Sequence, residues 1–268
     1  MPQTPIFDAK TQKRPMRVAG FMSGSGTNIT KLVGLQHRLR AETDECPFEV
    51  VFIFSDRSDG GSQGEKIALA AGVPYFSYDI RRFHTIRGLR RSVAASEGLE
   101  ARQAYDETAK KLVEAFEVDV VALGGYMSYI TLPRCVNVHP ADLTIKSAHG
   151  SRRFVGDDAV RDAILAGETA LRASTLWTDE GVDTGPVLLV SRPVKVRLPL
   201  DLERLRKDEA LLDKVVTENQ ERLKEVGDWE IFPKTILWIA QGRFGLDENG
   251  AVYLDGAPLA DGYRLEEE

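Results

Sequence analysis

Asn137 and His139 stand two residues apart in Cys135-Val-Asn-Val-His139, an apolar run ended by Pro140. Read as a strand, the run puts both side chains on one face at its carboxyl end, where open α/β sheets hold their ligands. An amide donor beside an imidazole suits acyl transfer. Asparagine can hydrogen-bond an oxyanion as it forms, and histidine can do the same when protonated or move the proton. A hydrogen-bonded structural pair is the competing reading. Asp183, in the turn Gly181-Val-Asp-Thr-Gly-Pro186 between two apolar runs, is a carboxylate whose evident structural task is only to cap its own turn. It could orient the imidazole and raise its pKa through charge.

The second candidate is Gly24-Ser25-Gly26-Thr27-Asn28. It leaves an apolar run and opens a helical pattern, so main-chain N–H groups and the positive end of the helix dipole converge where an anion could sit. A dinucleotide fingerprint would need a glycine at position 29, which is Ile29, and no lysine stands where a P-loop needs one. A plain tight turn is the alternative. His37, His84 and His149 have no partners at metal-ligand spacing, and Cys46 and Cys135 are far apart. Neither a metal site nor a disulfide framework is expected.

The elements that must position these residues alternate. Arg17 onward reads as a strand, the glycine turn and a helix. Val50 to Phe54 is a strand, a short helix is capped by Gly72, and a third strand follows. A helix from Arg102 to Phe116 leads to a strand at Val118 to Leu123, then to the Cys135–His139 strand and a helix from Asp157 to Ala166 stopped by Gly167. Leu171 to Thr178 and Val187 to Val196 read as two further strands. Such alternation implies an α/β fold: a mostly parallel, twisted sheet with helices on both faces. After Pro199 come a charged helix from Leu202 to Val226, a second helix, and a hairpin turning at Asn249-Gly250. Residues 1–15 read as an N-terminal extension and 16–268 as one domain with a C-terminal helix and hairpin. Arg81 to Arg91 is the one strongly basic stretch, read as a solvated face.

The chain of 268 residues is 43% hydrophobic, enough for a core, and carries a net charge of −6. That balance disfavours a nucleic-acid surface. No run of about 18 apolar residues exists and the first fifteen residues lack a signal peptide's apolar stretch. The expectation is a cytoplasmic protein working on small molecules, with neither nucleic acid nor membrane as partner.

Together with Arg102-Gln-Ala-Tyr-Asp106, Gly124-Gly-Tyr-Met-Ser-Tyr-Ile130, Asp162-Ala-Ile-Leu-Ala-Gly167, Ile231-Phe-Pro233 and Tyr253-Leu-Asp-Gly-Ala-Pro-Leu259, these motifs run in an order that resembles the glycinamide ribonucleotide formyltransferases of purine biosynthesis. The resemblance covers nearly the whole chain from about residue 16 and implies a Rossmann-like formyltransferase fold. It implies formyl transfer from 10-formyltetrahydrofolate, as co-substrate, to a primary amine, without a metal. Its catalytic trio falls on Asn137, His139 and Asp183. Its substrate-phosphate loop falls on Gly24, Ser25, Gly26, Thr27 and Asn28. Its folate contacts fall on Arg102, Met127, Ser128, Tyr129, Ile130, Asp179, Glu180 and Gly181, and its acidic residue near the acceptor amine on Asp228.

The chain departs from the family after His139. Residues 141–155 form a longer loop of different composition, Asp158 and Val160 replace expected histidines, and Leu176 replaces another. Arg152 and Arg153 in that loop are expected to hold the acceptor's phosphate. Glycinamide ribonucleotide is the leading acceptor. A different phosphorylated amine, or a non-catalytic folate or ribotide sensor, remains an alternative. Hydrolysis of the formyl donor fits less well, because the resembling hydrolases carry an N-terminal regulatory domain that the residues before Arg17 do not supply.

Overall fold

The computed structural model describes residues 3–90 and 92–266; Arg91, the end of the basic stretch, lies outside them. The chain folds into two compact units. One comprises Pro5–Asn137 with Ile236–Arg243; the other comprises Val138–Thr235 with the strand residue Thr4 and the segment from Phe244.

The first unit holds a parallel sheet in the order Cys135–Asn137 (the part of strand Cys135–His139 that falls in this unit), Val120–Leu123, Met16–Met22, Phe48–Ser55, Tyr75–Ser77. Every residue of Met16–Met22 except Arg17 is buried, as expected for a strand covered on both faces. Its longer helices include Thr27–Thr43, Gly64–Ala71, Ile80–Arg87 and Ser96–Ala115. Ile80–Arg87 overlaps the stretch read as a solvated basic face, and it buries Phe83 and His84 there. The core is unusually aromatic: Phe21, Phe52, Phe54, Phe83, Tyr105 and Tyr126 cluster with Leu123 and Ile130.

Gly20 and Gly124 explain how Ile29 packs without the third glycine of a dinucleotide motif. A Cβ on Gly124 would meet Ile29 Cδ1 at 2.5 Å, and one on Gly20 would meet Ile29 Cγ2 at 3.1 Å. The close approach of helix to strand is thus made by glycines on the sheet side rather than on the helix.

In the second unit Ser174–Trp177 pairs antiparallel with Val187–Val190, and Tyr263–Arg264 runs parallel to the latter. Leu143, Leu176, Val187 and Val190 pack together there. The helices are Ala159–Leu165, Leu202–Leu205 and Glu209–Leu223, followed by a π-helical turn Lys224–Asp228. Helix Trp229–Ala240 begins in this unit and passes into the first at Ile236, and the hairpin of Phe244–Leu246 and Val252–Leu254 forms around Asn249-Gly250 as expected.

Candidate active site

His139 ends its strand as a buried residue, 5% exposed. Its Nδ1 lies 3.3 Å from Asp183 Oδ2 and its Nε2 lies 3.0 Å from the Phe154 carbonyl. Both neighbours are acceptors, so only the doubly protonated ring satisfies both. Burial lowers the His139 pKa, while Asp183 and the Phe154 carbonyl push it up. Desolvation is the larger effect, so the pKa lies below the ordinary histidine value, with both ring nitrogens facing acceptors.

Asp183 reaches this position through a left-handed backbone, φ 53°, a conformation that aspartate tolerates better than most side chains. The Gly156 N–H also donates to its Oδ2, at 3.0 Å. Capping of the turn, expected of Asp183, is done by Asp179: its Oδ1 accepts from the Gly181 N–H at 3.0 Å and from Thr184 Oγ1 at 2.6 Å. That leaves the Asp183 carboxylate to the imidazole and the Gly156 N–H. Gly185 allows the turn to close, since a Cβ there would lie 1.9 Å from the Trp177 carbonyl oxygen.

Asn137 occupies the same strand, half-buried, and lies opposite Leu123 in the ladder. The glycine turn forms where expected. Gly26, φ 63°, begins helix Thr27–Thr43 without a side-chain cap, which leaves first-turn N–H groups without a side-chain acceptor. Asn28 is 8% exposed and its Oδ1 has no hydrogen-bond partner among the described residues. Asp228 is buried at the end of the π-helical turn. Glu180 and Gly181 are exposed at the tip of the Asp179 turn.

Of the folate candidates, Met127 is 68% exposed, and its N–H is held by Ser23 Oγ at 2.9 Å. Ser128 donates to Asp56, a buried carboxylate that sequence reasoning missed, at 2.5 Å. Tyr129 is partly exposed and Ile130 lies in the aromatic core. Arg102 is 2% exposed. Its guanidinium pairs with Asp106 at 3.2 Å, donates to the Tyr126 hydroxyl at 3.1 Å and stacks over the Tyr105 ring. Asp106 Oδ2 in turn accepts from Thr131 N and Oγ1, both at 2.8 Å. The i, i+4 spacing of Arg102 and Asp106 was the available signal for this pair.

Arg152 and Arg153, expected to hold a phosphate, both meet acceptors of the protein itself. The Arg152 guanidinium is taken by the Asp183 and Gly185 carbonyls. Arg153 pairs with Glu168 at 3.6 Å and lies over the Phe154 ring. Loop composition suggested free cations; main-chain acceptors brought in by the fold had already claimed the first. Among the described residues no group of three or more His, Cys, Asp or Glu is placed to hold a metal ion.

The chain matches the formyl transferase family model over residues 16–210. It is 24% identical over 250 residues to the phosphoribosylglycinamide formyltransferase of Haemophilus influenzae, an alignment covering 91% of this chain and 95% of that one. It is 27% identical over 192 residues, 68% of this chain, to the trifunctional purine biosynthetic protein adenosine-3 of Drosophila melanogaster, and that match spans only 12% of the fly protein. The fold is shared with the phosphoribosylglycinamide formyltransferase of Coxiella burnetii, with a TM-score of 0.64 at 23% identity over 94% of this chain and all of that one.

Proposed function

The chain belongs to the formyl transferase family, and from that membership we propose that it transfers the formyl group of 10-formyltetrahydrofolate to the amine of glycinamide ribonucleotide, with residues 16–268 working as one formyltransferase unit. The observation that carries this reading is the buried His139–Asp183 pair at 3.3 Å, with His139 two residues past Asn137 on the same strand. It acts in the cytoplasm on small molecules, with no metal and no nucleic acid. No helix among the described residues is long and apolar enough to cross a membrane.

The neutral amine attacks the formyl carbon, a C–N bond forms, and charge builds on the formyl oxygen. Asn137 donates its amide N–H to that oxygen. The Nε2–H of His139 turns from the Phe154 carbonyl to the same oxygen, while Asp183 holds Nδ1–H and offsets the imidazolium charge. The proton lost by the amine passes through water near Asp183 to N10 of the folate as the C–N10 bond breaks. The ribotide phosphate is held by the N–H groups of Gly24 to Asn28. The folate is held by the main chain of Met127 to Ile130 and of Asp179 to Gly181, with Arg102 stiffening the wall through Tyr126. Asp228 faces the acceptor amine.

Mixing the protein with 10-formyltetrahydrofolate and glycinamide ribonucleotide and following folate absorbance tests the reading: turnover that requires the ribotide is expected. Turnover only with another phosphorylated amine would move the acceptor assignment, and folate release without any amine would make the protein a hydrolase. The phosphate loop has its own test. Ribose 5-phosphate is expected to raise the Tm of the wild type, and Gly24→Ala is expected to reduce that protection while the ligand-free Tm stays put, because a Cβ at Gly24 meets nothing within 4 Å. Equal protection in both proteins would place the phosphate elsewhere. Gly26 is unsuited to this test, since its Cβ would lie 2.4 Å from Met22 Sδ and overpacking of that kind costs about 1–3 kcal/mol.

A further inference from the structure

The rebuilt loop after His139 is a small hairpin. Lys146 and Arg152 pair across it, Ser147 N–H donates to the Ser151 carbonyl at 2.7 Å, and Arg153 N–H to the Ile145 carbonyl at 3.1 Å. Lys146 pairs with Asp261 at 3.1 Å, which ties the hairpin down at its outer side. Its return limb presents three alternate residues to the reacting pair. The Arg152 guanidinium donates to the Asp183 carbonyl and, at 2.8 Å, to the Gly185 carbonyl. The Phe154 carbonyl faces His139 Nε2, and the Gly156 N–H donates to Asp183 Oδ2.

Arg152 is the unusual member. It is half-buried; desolvation lowers its pKa while Asp179, Asp183 and Asp261 push it back up, and its hydrogen bonds go to two main-chain carbonyls rather than to those carboxylates. The fork geometry of a guanidinium is what two carbonyls two residues apart require; an ammonium is a point charge. One of those carbonyls belongs to Asp183, the residue whose left-handed φ of 53° needs holding from outside.

We propose that Arg152 is a positioning residue of the formyl transfer, fixing the Asp183 backbone so that its carboxylate meets the His139 imidazole; this rests on the reading of His139 and Asp183 as the reacting pair. Two accounts of Arg152 then predict opposite behaviour of His139. The charged groups acting on that ring are Asp183 and Asp157, which raise its pKa, and Arg152, which lowers it. If Arg152 were only a nearby cation, its removal would raise the His139 pKa. As a positioning residue, its loss lets the carboxylate drift, the larger upward push of Asp183 weakens, and the pKa falls. Transfer that uses the protonated ring declines as pH rises through that pKa, so the declining limb of kcat moves the same way.

The experiment uses the full chain with Arg152→Ala and Arg152→Lys, reading His139 by NMR titration of histidine-labelled protein, its signal assigned by its loss in His139→Ala, and turnover against pH. For Arg152→Ala a fall in the His139 pKa by about half a pH unit or more is expected, with kcat down about tenfold and KM within about twofold. Arg152→Lys, which keeps the charge and loses the fork, is expected to fall between Ala and wild type in both readouts. An upward movement of the pKa, an unmoved titration in Arg152→Ala, or wild-type behaviour of Arg152→Lys would overturn the proposal. Should Arg152→Ala fail to fold, Arg152→Lys alone decides. The titration needs no substrate, so a wild type inactive in formyl transfer would refute the function while the titration still decides whether Arg152 sets the His139–Asp183 contact.

Discussion

His139→Ala and Asn137→Ala are each expected to lower formyl transfer by at least about a hundredfold, the usual loss when an oxyanion donor or a proton-transfer group is removed. The two variants differ in what they do to the fold. Asn137 is half-buried, so its truncation should leave the Tm nearly unchanged and the effect in kcat. His139→Ala leaves the buried Phe154 carbonyl without its partner, which costs about 1–3 kcal/mol, so its kinetics must be read on protein shown to be folded by circular dichroism. Near-normal kcat in either folded variant would remove that residue from the mechanism. The stability of His139→Ala also has a pH signature. Burial holds the native imidazole pKa below its ordinary value, so as pH falls from the ordinary histidine range toward the native pKa the unfolded chain takes up the proton first, and the wild type loses stability. His139→Ala should lack that acid-side decline.

The largest effect on stability is expected at Asp106→Ala. Arg102 and Asp106 side chains are 3% and 2% exposed and 3.2 Å apart, packed among Tyr105, Tyr126 and Thr131. Burial raises the Asp106 pKa and Arg102 pulls it back, so the carboxylate depends on its partner. Removing it strands a guanidinium among aromatic rings, and breaking a buried pair in this way costs about 3–5 kcal/mol. The double variant Arg102→Met/Asp106→Leu, which removes both charges, should recover most of that loss. Urea unfolding of the three proteins makes the comparison. A single variant within about 1 kcal/mol of wild type would mean that water or another group reaches the guanidinium. The pair also bears on folate. Arg102 holds Tyr126 one residue before Met127, so if the Met127–Ile130 main chain binds the donor, the double variant should raise the KM for 10-formyltetrahydrofolate more than that for the amine.

Much of the framework is readable from local chemistry. The strand Cys135–His139 falls on the residues its apolar run and Pro140 mark, Gly72 caps its helix in the left-handed conformation, and Asn249-Gly250 turns its hairpin. These signals are carried by residues next to one another, through side-chain period and allowed φ. Where local reading failed, the competing interaction came from side chains or from backbone chemistry at one residue. The run read as one strand from Leu171 to Thr178 is interrupted at Arg172 and Ala173, where the Ala173 N–H goes to Ser191 Oγ rather than to a strand carbonyl. Val187 to Val196 divides into Val187–Val190 and Val194–Lys195, and the gap between them ends with Pro193, which has no N–H for the ladder. The helix read from Arg102 starts at Ser96 after Ala95, which offers no capping side chain and so no start signal. The charged run from Leu202 divides because Asp208 caps a second helix.

For the site, residue types and spacing by themselves determined the candidates: Asn137 and His139 on one strand face, Asp183 in the turn, and the glycine turn ahead of its helix. Only the tertiary structure decided what each of them meets. The contact of His139 with Asp183 spans 44 positions, Phe154 takes the second ring nitrogen, and the Arg152 guanidinium meets two main-chain carbonyls. Such bonds depend on distances and angles between segments remote in sequence, and a hydrogen bond is lost within a few tenths of an ångström or a few tens of degrees. No local period encodes that geometry; the packed core sets it.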